Sequence, residues 1–233
     1  MKQKTVSIIV ALTVLLFLVL AGRYGFTVVK IEDVQKAAQS EKFDPVAYVD
    51  GIWSSQMLPV FNEKAVELPK ILSEIQLDAN GTVSKEGLTA ITNKYGLITV
   101  GESHVYMVKG SGKIVSVNTD SSLGTAEVTL DGYAGPIKVL IYIGSRIPSD
   151  EASVRDAVGF ITFGDFKEQT EYGKVASEIN KRVLSEVIGS LDKNSLMGKT
   201  ISFKGAFNVR TFNLIQIDLK EIRIIPVAIE LGE

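Results

Sequence analysis

Hydrophobic and polar positions follow three different rhythms along this chain. From Val6 to Ala21 the residues are apolar almost without a break, Ser7 and Thr13 excepted, and Lys2 and Lys4 stand in front of them. That layout predicts an export signal or signal anchor. At 1.5 Å per residue the run spans about 24 Å of a roughly 30 Å bilayer interior. Tyr24, Phe26, Val28 and Val29 supply the remaining length, and Arg23 can snorkel toward the headgroups. The absence of any polar face argues against a buried cytosolic helix.

The second rhythm is helical. After "FTVVKIED", which reads as a short strand or an extended link, the stretch Phe43 to Gln76 predicts helices punctuated by prolines. Asp44 is placed as an N-cap before an N1 proline, and Val46, Val49 and Trp53 recur at three- and four-residue steps. This helix is expected to run toward Met57 and stop near Pro59. A second begins near Leu68-Pro69, with Ile71, Leu72 and Ile75 on one side. "DANGTVSKEG" reads as a loop and "LTAITNKYG" as a last helical turn closed by Gly96.

From Ser103 the period shortens to that of strands. "HVYMVKG", "KIVSVNTD", "GTAEVTL" and "IKVLIYIG" are separated by turn chemistry, the first two forming one long bent strand. A helix follows, with a stripe of Tyr172, Val175, Ala176, Ile179, Val183, Val187 and Ile188 and with Asp165 and Glu168 in capping-box spacing. Strands then resume with "KTISFKGAF", "TFNLIQIDL" and "EIRIIPVAIEL", where Pro226 marks the last as an edge or bulged strand. Three strands, a helical connection and two or three more strands form the plan of an oligonucleotide/oligosaccharide-binding (OB) barrel. The expected fold class is therefore α+β: a signal anchor or transmembrane helix over 1–29, a helical segment over 30–100, and an OB-like five-stranded β-barrel over 101–233 with a helix between strands 3 and 4.

Composition narrows the chemistry. There is no cysteine, so thioether lipidation, disulfides and thiolate catalysis are excluded. Three of the 25 basic residues precede residue 30, leaving 22 against 27 acidic ones beyond it, a balance that argues against a grip on nucleic acid. The blocks "AYVDGIWSSQMLPVFNEKAVELPKIL", "GFITFGDFKEQTEYGKVASEIN", "LMGKTISFKGAFNV" and "IRIIPVAIELG" resemble a bacterial family of predicted periplasmic lipoproteins of unknown function. The resemblance runs from about Lys30 to the C-terminus. It implies an OB-like fold and a gene neighbourhood of sugar ABC-transporter components, and it carries no catalytic residues over. Where a lipoprotein signal has its lipidated cysteine after Leu-Ala-Gly, this chain has Arg23.

No motif spells out a reaction. His104 is the single histidine, expected to be solvated on its strand, and neither a Gly-x-Ser-x-Gly elbow nor a phosphate-binding loop is present; "GKT" at 198–200 opens a strand. Asp50, Asp131, Asp165 and Asp150-Glu151 are carboxylate candidates, of which Asp165 is accounted for as a cap and Asp131 by a turn, and no metal or cofactor motif is present. Trp53, beside Tyr48 and Asp50, is a core residue by its helical spacing and a sugar-stacking surface by its company. Tyr133, Lys138, Tyr142, Arg210 and Phe212 fall on the strand face and loops that bind ligands in OB-like folds. The expectation is a non-enzymatic binding or accessory module, held at the cytoplasmic membrane by its N-terminal helix with the main domain outside the cytoplasm, and partnered by a saccharide or a sugar-transporter component. The alternatives are a carboxylate-dependent enzyme of envelope polymers and an OB-type nucleic-acid binder.

Overall fold

The computed structural model describes residues 12–17, 19–20, 22–23, 30–31, 43–98 and 103–232. Two units result, 1–43 and 44–233. In the first, the described residues 12–17, 19–20 and 22–23 are helical, and Leu15, Leu16 and Phe17 are exposed. No helix among the described residues is long and apolar enough to cross a membrane. Most of "FTVVKIED" lies outside the described residues.

The second unit opens with helix α1 (Pro45–Ile52), whose N-cap Asp44 accepts from the Val46 and Ala47 amides at 2.9 and 3.2 Å. The helix continues past Pro59 instead of stopping there. A π-turn at Trp53–Met57 lengthens the ladder, with Leu58 N–H reaching Trp53 O, and α2 (Leu58–Lys64) starts with Pro59 in its first turn. Proline there costs no intrahelical bond. After β1 (Val66–Glu67) come α3 (Leu68–Glu74), β2 (Thr82–Ser84), α4 (Lys85–Tyr95, capped by the Ser84 hydroxyl) and β3 (Leu97–Ile98). The loop before β2 is an Asp78-centred turn, its carboxylate taking the amides of Asn80 and Thr82. Thus "LTAITNKYG" belongs to a full eleven-residue helix, with Gly96 as its C-cap.

Strand β4 (Ser103–Asn118) is a single sixteen-residue strand bent by a bulge between Ile114 and Ser116. Its first half pairs with β3 and, in parallel, with β1; its second half pairs with β5 (Thr125–Leu130). β5 pairs with β6 (Lys138–Tyr142), β6 in parallel with β9 (Glu221–Leu231), β9 with β7 (Thr200–Arg210), and β7 along its whole length with β4. The path therefore returns to its start through five strands. Two short additions, β1 and β3, bring the sheet to seven strands. Pro226 stands opposite Gly205 at a bulge in the β7–β9 ladder, where a Cβ on Gly205 would meet Ile225 O at 2.4 Å.

Between β6 and β7 run α5 (Ser153–Ala157) and α6 (Gln169–Arg182), the latter extended by a π-turn at Val183–Ile188. Val175, Ala176, Ile179, Val183 and Ile188 of the predicted stripe are buried. The caps differ from the predicted pairing. Asp165 closes a box with Thr162 on a 3₁₀ turn (Phe163–Asp165), and Glu168 pairs with Glu171 to open α6. Helices and strands share one core, in which Leu68, Leu72 and Leu88 pack with Tyr106, Val139, Phe207 and Ile224.

Candidate functional site

β7 and β9 are zipped only as far as Ala206 opposite Ile225. Beyond that pair the first four residues of β9 turn to β6, Lys138–Ile141 matching Glu221–Ile224, while β7 stays with β4. The strands part because the loop joining them is held elsewhere. Its short strand β8 (Gln216–Asp218) pairs with β2, Val83 facing Ile217; Lys85 N–H bonds Ile215 O at 2.9 Å and Leu219 N–H bonds Gly81 O at 3.1 Å. Gly81 sits at φ +78°, a left-handed conformation that favours glycine.

The gap is a cleft of about 400 Å³, walled by Asn208–Arg210 and Glu221–Arg223 with Tyr142, Glu151, Leu214 and Asp218 around it. Its rim alternates in charge. Arg210 bonds Asp150 at 2.8 Å, Arg223 grips one Glu221 oxygen through Nε and Nη2 at 2.9 and 2.7 Å, and Lys220 meets Asp218 at 3.0 Å. Asn208 donates to Glu151 Oε1 at 2.9 Å, an oxygen that also takes the Ala152 and Ser153 amides.

These contacts move protonation away from neutrality. Hydrogen bonds from Arg210 and Lys220 hold the Asp150 and Asp218 carboxyls below their usual range, and Arg210 and Arg223 are held charged by Asp150 and Glu221. Burial pushes the Tyr142 phenol up, against the pull of its bond from Arg223. The cleft thus offers fixed donors and acceptors side by side, a lining that suits a neutral, hydroxyl-rich ligand.

Of the sequence-predicted residues, Tyr142 and Arg210 meet in this cleft. Phe212 is 69% exposed on the turn whose Leu214 lines it. Tyr133 and Lys138 stand at the β5–β6 turn, the Tyr133 hydroxyl accepting from Ile137 N–H at 3.1 Å and Lys138 lying 3.9 Å from Glu127. Tyr48, Asp50 and Trp53 form a second cluster, where α1 packs on α6. Trp53 is buried and donates to Glu186 at 3.0 Å, Asp50 pairs with Arg182, and the Tyr48 ring meets Phe166 edge-on at 5.5 Å. Phe166 and Phe163 flank Tyr172, whose face is covered by the buried Arg155 at 3.5 Å. The two most distinctive sequence blocks, "YVDGIW" and "FGDF", meet in this helix contact.

His104 is buried, contrary to the solvated position expected of it, on the stretch of β4 that pairs with β3 on one edge and β7 on the other. Asn208, Asp218, Glu221 and Arg223 are not singled out by sequence, whereas the carboxylate candidates Asp150 and Glu151 both reach the cleft rim. The alternating "EIR" at 221–223 is the one local signal, and only the parting of β7 and β9 gives it a function.

Comparison with known proteins places these observations. No curated protein matches the chain. The crystal structure of an OB-fold protein from Thermotoga maritima superposes with a TM-score of 0.60 at 19% identity, covering 82% of this chain and all of that one, a likeness of fold. Residues 14–230 match the family described as predicted periplasmic lipoprotein (DUF2291), and the chain belongs to that family.

Proposed function

We propose that this protein is a non-enzymatic, membrane-anchored binding module of the cell envelope whose β7–β9 cleft takes a neutral saccharide, in the service of a solute transporter. The observation that carries this reading is the cleft rim, where two guanidiniums alternate with carboxylates and an amide. Hydroxyl-rich ligands use donors and acceptors together, whereas a phosphate backbone needs a surplus of cations. The four described carboxylates with a resolved shift, Glu74, Asp78, Asp150 and Asp218, are all lowered, which suits binding rather than general-acid chemistry. Five strands pairing in a closed circuit, with β6 and β9 parallel, support the OB-like barrel as its scaffold. With no cysteine to carry a lipid, the apolar N-terminal segment is the means of attachment.

Titration calorimetry of the full chain with maltotetraose, cellotetraose and chitotetraose tests the cleft. At least one should bind, and Arg223→Ala should weaken it about tenfold, the effect of losing one charged hydrogen-bond donor. No heat with any of the three, or equal affinity in the variant, overturns the saccharide reading. Copurification from native membranes tests the transporter. Loss of every partner after mild solubilisation, with unchanged solute uptake in a deletion strain, removes that part.

A further inference from the structure

The turn that links β7 to β8 has no role in the cleft's hydrogen bonding, yet it displays three large apolar side chains within four residues. Phe212, Leu214 and Ile215 are 69, 44 and 77% exposed. From Thr211 to Ile217 there is no charged residue; Arg210 precedes this stretch, and Asp218, paired with Lys220, follows it. The turn is also firmly built: Leu214 N–H bonds Thr211 O at 3.1 Å, Asn213 takes a left-handed φ of +57°, and Ile215 O is held by the Lys85 amide. An apolar cluster presented in this way on a well-anchored turn marks an interaction surface.

We infer that this finger is a second membrane contact, dipping Phe212 and Ile215 into the headgroup–acyl boundary of the bilayer that holds the N-terminal segment. The inference rests on the anchoring part of the proposed function. Sequence length supports it: only fourteen residues, 30–43, join the anchor to the folded unit. Even fully extended they reach about 50 Å, so an anchored domain never leaves the neighbourhood of the lipid. Under that tether a contact too weak to hold a free protein is strengthened by effective concentration. The charge pattern agrees, with an uncharged tip suited to the acyl boundary and the nearest charged residues set back where headgroups and water begin. Leu214 belongs to both the finger and the cleft lining, so insertion would open the cleft beside the headgroups.

The absence of native cysteine makes a clean test possible. Full-length variants Ile215→Cys, Leu16→Cys and Lys174→Cys would each be labelled with nitrobenzoxadiazole and reconstituted with vesicles of phosphatidylethanolamine and phosphatidylglycerol. Lys174 is an exposed position on α6 and serves as the aqueous control. A blue shift and an intensity rise on the order of threefold at both 215 and 16, with none at 174, is the expected result for two apolar segments buried at the interface. A shift at 16 but not at 215 overturns the finger and leaves the anchor standing. A shift at 215 but not at 16 supports the finger and removes the anchor, and no shift at either site removes both. A rise at 215 that follows protein concentration without vesicles identifies a contact between copies and overturns the membrane assignment.

Discussion

Arginine and carboxylate meet in two regions of this molecule, with opposite consequences. On the helix side, Arg155 is buried under the Tyr172 ring, bonded to Asp156 at 2.6 Å and to Tyr172 O at 3.0 Å, and Arg182 bridges Asp50 and Glu186 where α1 lies on α6. On the cleft side, Arg210 and Arg223 make pairs of similar length, but their side chains are 60 and 45% exposed. Burial decides the outcome. The desolvated Arg155–Asp156 pair cannot exchange its partner for water without a large loss, and with the bond to Tyr172 O it locks α5 onto α6, while the Arg182 pairs, whose carboxylates are half exposed, stand between the two cases. A solvated pair contributes little to stability and can trade its carboxylate for a ligand hydroxyl at small cost.

The sharpest way to break this comparison is to remove the guanidinium on each side. Arg155→Ala should cost about 3 kcal/mol, since the Tyr172 carbonyl loses its donor and Asp156 keeps only the Tyr172 hydroxyl, and urea unfolding at unchanged slope would show it. Next in size is the alkaline limit. Tyr106, buried and stacked on Phe207 at 4.9 Å, has its phenol pushed up to about 12 by desolvation. A raised folded value means that the associated stability is intact below 10.0 and is lost as pH rises through 12. That loss amounts to about 2–3 kcal/mol, read from denaturation midpoints and abolished in Tyr106→Phe.

Trp53→Phe keeps the buried ring but gives up the bond to Glu186, and should cost about 1 kcal/mol by the same unfolding assay. Arg210→Ala should change stability by less than about 0.5 kcal/mol; a loss equal to that of Arg155→Ala would erase the distinction between the two regions. The smallest effect is at acid pH. Asp150 has its folded value lowered by Arg210, so its contribution is present above 3.8 and fades as pH falls through that lower value. Because the pair is exposed, Asp150→Asn should flatten the acid limb of a stability profile only slightly.

Much of the fold was legible because it rests on periodicity. The stripe of α6, the long bent β4, the helical connection between the third and fourth long strands and the bulge at Pro226 all follow from which residues must face a core. The misreadings occur where a local rule has two solutions. Pro59 was read as a stop, but a π-turn frees the bond its missing N–H cannot make. Asp165 was paired with Glu168 by spacing, but each found another partner three residues away. In "TFNLIQIDL" the apolar density of a strand belongs instead to an exposed turn and three paired residues. The cleft was the least legible part, since it arises from a ladder that ends early, and nothing in β7 or β9 alone shows that the loop between them is paired with β2.

That β2–β8 pairing has a consequence for how the protein comes into being. Thr82 and Gln216 touch across 134 positions of sequence, so a chain delivered in order from its amino-terminal side receives the two sides of the clasp far apart in time. β9 follows β8 in the chain, so the clasp is in place before the second wall of the cleft, Glu221–Arg223, emerges. Binding competence is then the last property the chain acquires, since a product that stops short of Glu221 would carry Tyr142, Glu151 and Asn208–Arg210 but lack the Glu221–Arg223 wall of the cleft.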